Sequence, residues 1–361
     1  MPDGGGFSPA LKGRGTRTNP DNRFEATARE AFDDGWGTLT EDMPALRTTL
    51  TREASKSALS YNDSPDLGFD RSLNPYRGCE HGCVYCFARP SHAYLGLSPG
   101  LDFETKLLFK PDMPALLARE LSRPGYVPKT VTLGANTDPY QPVERRLELT
   151  RRTLEVLERF GHPVSIVTKS AGVLRDLDIL SRMAARNLAR VYMSVTTLDA
   201  KLARAMEPRA ASPLRRLQAM RELSVAGVPV AVLAAPMIPG INDSELERIL
   251  DAAAQAGAST AGYVLLRLPL ELRGLFEDWL NQHYPERAAR VLALIRQTRG
   301  GQLYDARFGQ RQTGTGDYAQ VLAQRFAIAI RRLGLDRREM GGKLDCAQFD
   351  ARADERQLAL L

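Results

Sequence analysis

Short apolar runs alternate with longer amphipathic segments across the middle of this chain, and this alternation constrains its fold more than any other feature. The runs are rich in β-branched and apolar residues and lie at 106–109, 130–133, 164–168, 191–195, 228–234 and 262–266. Between them, apolar residues recur at three- and four-residue spacing over 143–160, 173–187, 213–226 and 244–256. Strands that alternate with helices predict an α/β protein with a parallel sheet and right-handed crossovers.

Small and polar residues mark the ends of the predicted helices. Gly161, Gly227 and Gly257 follow three of them, where a left-handed residue is expected. Ser212 and Asp243 precede two of them as predicted N-caps. The periodicity does not decide between a barrel and an open doubly wound sheet. In both architectures the chemistry is expected at the carboxyl ends of the strands.

The two ends of the chain differ in pattern from its centre. Residues 1–65 are expected to form a partly disordered N-terminal leader, with one short helix at 24–32. The alternating pattern places the core at 66–270. Beyond it, 271–361 is expected to be a helical C-terminal extension with a polar tail, and its clearest helix is predicted at 317–333.

Composition places the chain among globular proteins that bury a core. It has 361 residues, of which 43% are hydrophobic, enough for one large core. It contains neither an uninterrupted apolar stretch of about 18 residues nor the apolar segment of a secretory signal, so we expect a cytoplasmic protein without a membrane partner. The net charge of +6 favours a nucleic-acid partner only weakly, because solvated arginine-rich helix faces produce the same excess.

Three of the four cysteines lie within eight residues, in a C-x3-C-x2-C loop formed by Cys79, Cys83 and Cys86. Four cysteines are too few for a disulfide framework in a chain of this length. Three adjacent thiolates can bind three irons of a [4Fe-4S] cluster, and Gly78 and Gly82 allow the backbone to fold tightly around it. The fourth iron then stays open, and it can chelate the amino and carboxylate groups of S-adenosylmethionine (SAM).

Two other metal sites are compatible with these residues. His81 could complete a Cys3His zinc site, although structural zinc sites usually bring their ligands as two separated pairs and the chain has no second pair. Cys346 could supply a fourth ligand from the C-terminal tail. A zinc site would make the chain a non-catalytic zinc- or nucleic-acid-binding protein with a structural cysteine loop.

Two aromatic residues flank the last thiol of the loop. Tyr85 precedes Cys86 and Phe87 follows it. We expect one of the two rings to shield a cluster or to pack on the adenine of SAM, and ordinary loop packing is the alternative.

The segment from Asn74 to Arg89, with the sequence NPYRGCEHGCVYCFAR, resembles the radical SAM superfamily. Within that superfamily it is similar to the branch related to spore photoproduct lyase, whose members are often labelled DNA repair photolyases. The resemblance covers roughly residues 70–270. It implies a partial (β/α)6 barrel, with the [4Fe-4S] cluster and SAM as cofactors. It also implies reductive cleavage of SAM to a 5′-deoxyadenosyl radical that abstracts hydrogen from an unidentified substrate, with nucleic acid as one substrate class and a flavodoxin or ferredoxin as reductant.

The resemblance also implies SAM contacts at the ends of three strands. Thr137 and Asp138 fall where the superfamily binds the SAM amino group, and an Asx turn is the alternative for Asp138. Lys169 falls where related lyases pair a lysine with the SAM carboxylate. Ser194, with Thr196 second because residues two apart share a strand face, falls where hydroxyls contact the ribose.

One departure from the spore lyase pattern bears on the reaction. That type carries a hydrogen-donating cysteine in the loop that corresponds here to 136–138, whereas this chain has Asn136 there and no cysteine between Cys86 and Cys346. The reversal of a DNA photoproduct by the same mechanism is therefore not implied. The sequence leaves the substrate and the oligomeric state open.

Overall fold

The computed structural model describes residues 13–25, 47–336 and 343–353. The helix expected at 24–32 lies outside the described residues from residue 26 onward. The described strands are β1 (Thr49–Arg52), β2 (Leu59–Tyr61), β3 (Arg71–Leu73), β4 (Tyr76–Arg77), β5 (Lys106–Phe109), β6 (Val131–Leu133), β7 (Val164–Thr168), β8 (Ala189–Ser194), β9 (Val230–Met237) and β10 (Thr260–Leu265). The helices are α1 (Leu101–Thr105), α2 (Met113–Leu121), α3 (Glu144–Leu147), α4 (Leu149–Arg159), α5 (Leu177–Ala185), α6 (Ala200–Met206), α7 (Pro213–Val225), α8 (Leu246–Gln255), α9 (Leu272–His283), α10 (Pro285–Gln297) and α11 (Gly316–Leu333).

A seven-stranded sheet in the order β10-β9-β8-β7-β6-β3-β2 forms the centre of the protein. Its strands from β3 to β10 pair in parallel and follow chain order, whereas β2 pairs antiparallel with β3 at one edge. The six parallel strands confirm the predicted α/β fold of the partial (β/α)6 type. The largest apolar cluster packs between this sheet and its helices, with Leu133, Ile166 and Val191 at its centre.

The predicted strand at 106–109 exists, but its place in the sheet was wrong. As β5 it belongs to a separate three-stranded sheet, in the order β1-β5-β4. The first parallel position is taken by β3, which the pattern did not reveal. The three residues of β3, Arg71 to Leu73, include a single apolar residue, so the sequence shows no apolar run there.

The predicted helices are present, with changes at their starts. The segment 143–160 divides into α3 and α4 at Glu148, whose φ is 50°. Gly161, Gly227 and Gly257 have the expected positive φ, and the Ser212 side chain accepts a hydrogen bond from the Arg215 amide as an N-cap.

The predicted N-cap role of Asp243 was wrong. A short 3-10 turn, Asp243–Glu245, precedes α8. The Asp243 carboxylate instead accepts hydrogen bonds from the Gly240 amide and the Tyr318 hydroxyl, which draw it away from the helix start.

Both chain ends contact the cysteine loop. From the C-terminal extension, α9 packs Phe276 and Trp279 in one apolar cluster with Cys83, Val84 and Tyr85. None of the described helices has the length and apolar character needed to cross a membrane.

The segment 13–25, within the expected leader, lies against the other side of this loop. The Gly15 and Thr16 amides donate to the buried Glu104 carboxylate at 2.9 and 3.1 Å. A Cβ at Gly15 would lie 1.6 Å from the Gly82 carbonyl oxygen, so only glycine permits this approach.

We expect Gly15→Ala to release the N-terminal segment from the loop. The displaced backbone loses hydrogen bonds to a charged carboxylate, each of which contributes about 1.5–3 kcal/mol, so trypsin should cleave after Arg17 roughly tenfold faster or more than in the wild type. Gly68→Ala is the matched control, because its Cβ would meet no atom within 4 Å. Equal cleavage rates in all three proteins would contradict this packing.

Candidate active site

A cavity of about 460 Å³ opens at the carboxyl ends of the parallel strands. Its wall combines the cysteine loop with residues in the last part of β6, β7, β8, β9 and β10 or directly after these strands. It is completed by the loop before β3 and by the segment at 311–312. This is the position predicted for the chemistry of such a sheet. The cavity is lined by all three cysteines of the motif, Cys79, Cys83 and Cys86. It is also lined by six of the predicted cofactor-binding residues: Tyr85, Phe87, Thr137, Asp138, Lys169 and Ser194.

The three thiols of the loop are free and share this cavity. Burial raises the pKa of all three, and the charge of Asp138 and the other two thiols raise that of Cys79 further. Thiolates at this place therefore need a cationic partner such as iron. The donor set, three thiols from one loop with none from elsewhere in the wall, fits a [4Fe-4S] cluster. Within the described part of the chain, no three His, Cys, Asp or Glu side chains are arranged to hold a single metal ion.

Arg89 fixes the course of the cysteine loop. This arginine is fully buried, and its guanidinium donates to the carbonyls of Cys83, Pro99 and Gly100 at 2.8, 3.1 and 2.9 Å. Its charge is balanced by Glu104 at 2.6 Å, the carboxylate that also holds the N-terminal segment. The conformation of the loop is therefore set by a buried ion pair.

Gln141 fixes the first turn of the same loop from the opposite side. Its side chain accepts a hydrogen bond from the Glu80 amide at 2.9 Å and donates to the Gly78 carbonyl at 3.2 Å. Because Gln141 follows β6, it ties the cysteine loop to the neighbouring strand end. Gly78 has a φ of 78°, which favours glycine at this turn.

A second buried ion pair, Glu207 with Arg216, lies behind the cavity wall. Glu207 accepts hydrogen bonds from the hydroxyls of Tyr85 and Thr196. Arg216 also donates to the Ser194 carbonyl at 3.1 Å. The pair therefore connects the cysteine loop to the end of β8.

The two hydroxyls predicted to face a ribose lie in different places. Ser194 is on the cavity wall, whereas Thr196 is fully buried and is not among the residues that line it. Both hydroxyls lie near the Ala235 carbonyl, at 3.2 and 3.1 Å, as strand alternation predicts for residues two apart. Thr196 is drawn inward because the Glu207 carboxylate accepts its hydroxyl proton.

The Asp138 carboxylate is engaged by its own surroundings. It accepts hydrogen bonds from the Thr168 hydroxyl and from the amides of Lys169 and Tyr140, at 2.8, 2.7 and 2.9 Å, and lies 3.4 Å from His81 Nδ1. Burial raises the pKa of Asp138, but His81 and the hydrogen bonds from the Lys169 amide and the Thr168 hydroxyl outweigh burial and lower it to about 2. The carboxylate accepts the Tyr140 amide as in an Asx turn and joins the loop after β6 to the end of β7.

The neighbouring Thr137 is similarly engaged, because its hydroxyl donates to the Tyr76 carbonyl at 2.9 Å.

Lys169 presents a charge to the cavity that no described carboxylate balances. Its Nζ donates to the Ser194 hydroxyl at 3.1 Å and lies 5.8 Å from the centre of the Tyr85 ring. Both partners are neutral. An ammonium group in this position attracts a carboxylate.

The two aromatic residues of the loop differ in exposure. Tyr85 is 6% exposed and points toward Glu207, whereas Phe87 is 43% exposed and has the Arg267 guanidinium 4.9 Å from its ring centre. Cys346 is absent from the cavity wall, and its Sγ lies 3.9 Å from the Leu344 carbonyl.

Several residues that shape the site carried no sequence signal of their role. Arg89 and Glu207 occur in segments that resemble the superfamily, but a sequence does not show which charged residue is buried. Their partners Glu104 and Arg216 lie 15 and 9 positions away. These ion pairs can be identified only from the three-dimensional structure.

Comparison with known proteins decides the family. The profile of the radical SAM superfamily matches residues 73–253. The chain belongs to the radical SAM superfamily. This membership makes it an enzyme and sets aside the non-catalytic zinc- or nucleic-acid-binding alternative.

Its relatives share much of its length. An uncharacterised protein of Mycobacterium tuberculosis (strain ATCC 25618 / H37Rv) is 36% identical over 303 residues, which cover 82% of this chain and 85% of the relative. An uncharacterised protein of Methanocaldococcus jannaschii is 26% identical over 214 residues, 59% of this chain and 76% of the relative.

Solved structures of spore photoproduct lyase have a similar fold. The lyase complexed with dinucleoside spore photoproduct gives a TM-score of 0.56 at 18% identity, over 79% of each chain. A variant of that lyase with bound AdoMet and dinucleoside spore photoproduct gives a TM-score of 0.55, also at 18% identity and over 79% of each chain. At this identity the likeness concerns the fold alone.

We expect Arg216→Met to destabilise this radical SAM enzyme strongly. The substitution leaves Glu207 as a buried charge without its cation, which costs about 3–5 kcal/mol in the free energy of unfolding and should lower the urea midpoint accordingly. Arg215→Met on the same helix is the control, because its side chain is 50% exposed and lies 3.8 Å from Glu222. The control should lose no more than about 1 kcal/mol. Similar losses in both variants would refute a structural role for the buried pair.

Proposed function

We propose that this enzyme binds a [4Fe-4S] cluster through Cys79, Cys83 and Cys86 and uses it to cleave SAM reductively. The observation that supports this most directly is that three free thiols of one C-x3-C-x2-C loop face a single cavity at the carboxyl ends of the parallel strands. When bound, the cluster supplies the electron that splits SAM into methionine and a 5′-deoxyadenosyl radical, which abstracts hydrogen from the substrate.

We infer that the cavity wall orients SAM through residues on neighbouring strand ends. Lys169 is the proposed partner of the SAM carboxylate, since it is a cation without a carboxylate of its own within the described chain. Ser194 is the proposed contact of the ribose. Thr196 would act indirectly, through Glu207, because it lies behind the wall.

Thr137 and Asp138 are proposed to act on the SAM amino group through the loop that they hold. Their side chains are engaged with Tyr76 and with the end of β7, so this loop is rigid before SAM binds. We propose that the Tyr85 ring packs beneath the site and that Phe87, the more exposed ring, contacts the bound molecules.

The substrate and the electron donor are proposed by chemical class. A reductant such as a flavodoxin or ferredoxin, in the cytoplasm, would supply the electron. Nucleic acid is the substrate class to test first, because a similar fold occurs in a spore photoproduct lyase complexed with dinucleoside spore photoproduct and because the net charge is +6. Asn136 occupies the loop in which the spore lyase type carries a hydrogen-donating cysteine, so the proposed chemistry ends at hydrogen abstraction.

The deciding experiment is an anaerobic assay of reconstituted, dithionite-reduced protein with SAM. We expect four irons per chain, a brown colour and the formation of 5′-deoxyadenosine. Alanine at Cys79, Cys83 or Cys86 should abolish the colour and the product, because each thiol binds one iron. Cys346→Ala is the control and should retain both, since Cys346 lies away from the cavity. A full cluster in the triple variant would overturn the assignment.

We expect Lys169→Gln to weaken SAM binding while leaving the iron content unchanged. Loss of a charge-assisted hydrogen bond costs about 1.5–3 kcal/mol, which corresponds to a Kd roughly 10- to 100-fold higher in equilibrium dialysis. Lys129→Gln is the control, because Lys129 is 61% exposed and pairs with Asp70. SAM affinity that is the same in both variants would remove Lys169 from the site.

A further inference from the structure

We propose that Arg267, lying over the Phe87 ring, binds an oxyanion of the substrate, either a carboxylate or a phosphate group. Both residues line the cavity beside the cysteine loop. The inference rests on the proposed function, because it assigns a substrate contact to the same cavity. It adds a specificity-determining residue in a part of the chain that the superfamily profile does not match, since that match ends at residue 253.

Arg267 is a cation without a partner in the described part of the chain. It makes no hydrogen bond or ion pair there, and its Nε is shielded from solvent without an acceptor. Its one specific contact is with Phe87, whose ring centre lies 4.9 Å from the guanidinium carbon. A partly buried guanidinium without a counter-charge is costly, and an entering anion would remove that cost.

The other charged groups of the wall are already committed. Arg311 forms an ion pair with Asp66, with Nε 2.7 Å from Oδ2. Asp138 is engaged by the end of β7 and by His81, and Lys169 is assigned to the SAM carboxylate. SAM has one carboxylate, so Arg267 is left for a second anion.

The backbone directly before Arg267 is fixed by several hydrogen bonds. The fully buried Arg299 donates to the carbonyls of Leu265 and Leu266, at 3.3 and 2.7 Å, and to those of Gln310 and Arg311. The Leu265 amide also donates to the Gln312 carbonyl at 2.8 Å. This network ends one residue before Arg267, so the guanidinium projects from a rigid base.

Arg299 also makes this corner of the cavity electropositive. Burial and the nearby charge of Arg267 lower the pKa of Arg299 to about 10. The Asp305 carboxylate acts on Arg299 in the opposite sense, but it is paired with Arg307 at 2.6 Å. Neither Arg267 nor Arg299 has a bonded carboxylate in the described chain, so the two guanidinium groups attract an anion. The planar guanidinium of Arg267 can bind the two oxygens of a carboxylate or phosphate side by side, which a lysine cannot do.

The position of the pair suggests how it would serve the reaction. Phe87 directly follows Cys86, so an anion held by Arg267 would place the rest of the substrate close to the thiols that are proposed to carry the cluster. The exposed Phe87 ring would support an apolar or planar part of the same substrate. When the anionic group of the substrate is bound, the position of the hydrogen to be abstracted is fixed as well, and the protein needs no contact with the reacting carbon.

Calorimetry tests this site without knowledge of the substrate. The full-length, cluster-reconstituted protein is titrated anaerobically with inorganic phosphate, with acetate, and with chloride at matched ionic strength. We expect saturable binding of phosphate or acetate, with a Kd at least tenfold higher in Arg267→Gln and higher also in Arg267→Lys. The tighter of the two probes identifies the substrate group. Arg119→Gln, an exposed residue on α2, should bind as the wild type does.

Three results would overturn the proposal. One is binding of the oxyanions that is no tighter than that of chloride, and another is unchanged affinity in Arg267→Gln. The third is a loss of SAM affinity in Arg267→Gln as large as in Lys169→Gln, which would make Arg267 a SAM ligand. Failure of the proposed function would be seen separately, as absent 5′-deoxyadenosine with oxyanion binding at Arg267 intact.

Discussion

Two buried arginine–glutamate pairs hold the cysteine loop, and the rest of the site depends on them. Arg89 with Glu104 fixes the loop backbone, and Arg216 with Glu207 connects its Tyr85 to the end of β8. Burying such a pair is expensive, and apolar residues would often stabilise a core equally well. These pairs also fix the course of the backbone, because each arginine donates hydrogen bonds to backbone carbonyls at defined positions. They hold the thiols at the mouth of the sheet.

The cavity also depends on the segments that lie near the two unpaired edges of the sheet. The parallel strands end at β10, whereas the other edge ends at β2, so the two edges do not pair. Asp66, in the loop between β2 and β3, forms an ion pair with Arg311 of the C-terminal extension, which lines the cavity. The Leu265 amide at the end of β10 donates a hydrogen bond to the Gln312 carbonyl, next to Arg311. Residues from both ends of the chain therefore complete the wall.

Local pattern predicted the parts of the fold that local interactions determine. The predicted strand at 164–168 has the bounds of β7, and the bounds predicted for β6, β8, β9 and β10 are within a few residues of the observed ones, because runs of apolar and β-branched residues carry a local signal. β3 was not predicted, because only one of its three residues is apolar. The motif located the thiols, but it could not show that Thr196 turns toward Glu207 or that Arg267 lacks a partner. Those facts depend on residues that are distant in sequence.

Family membership does not reveal the substrate, because the residues of the site lie partly inside and partly outside the region that matches the superfamily. The proposed SAM contacts, from Tyr85 to Ser194, lie within the region that matches the superfamily, residues 73–253. The ion pair of Asp66 with Arg311 lies outside it, and so does Arg267, whose charge is unbalanced within the described chain. A shared core that generates a radical places few demands on what the radical attacks. Selectivity is then expected from the part of the wall outside the matched region, where an anion at Arg267 would decide which molecule is bound beside the cysteine loop.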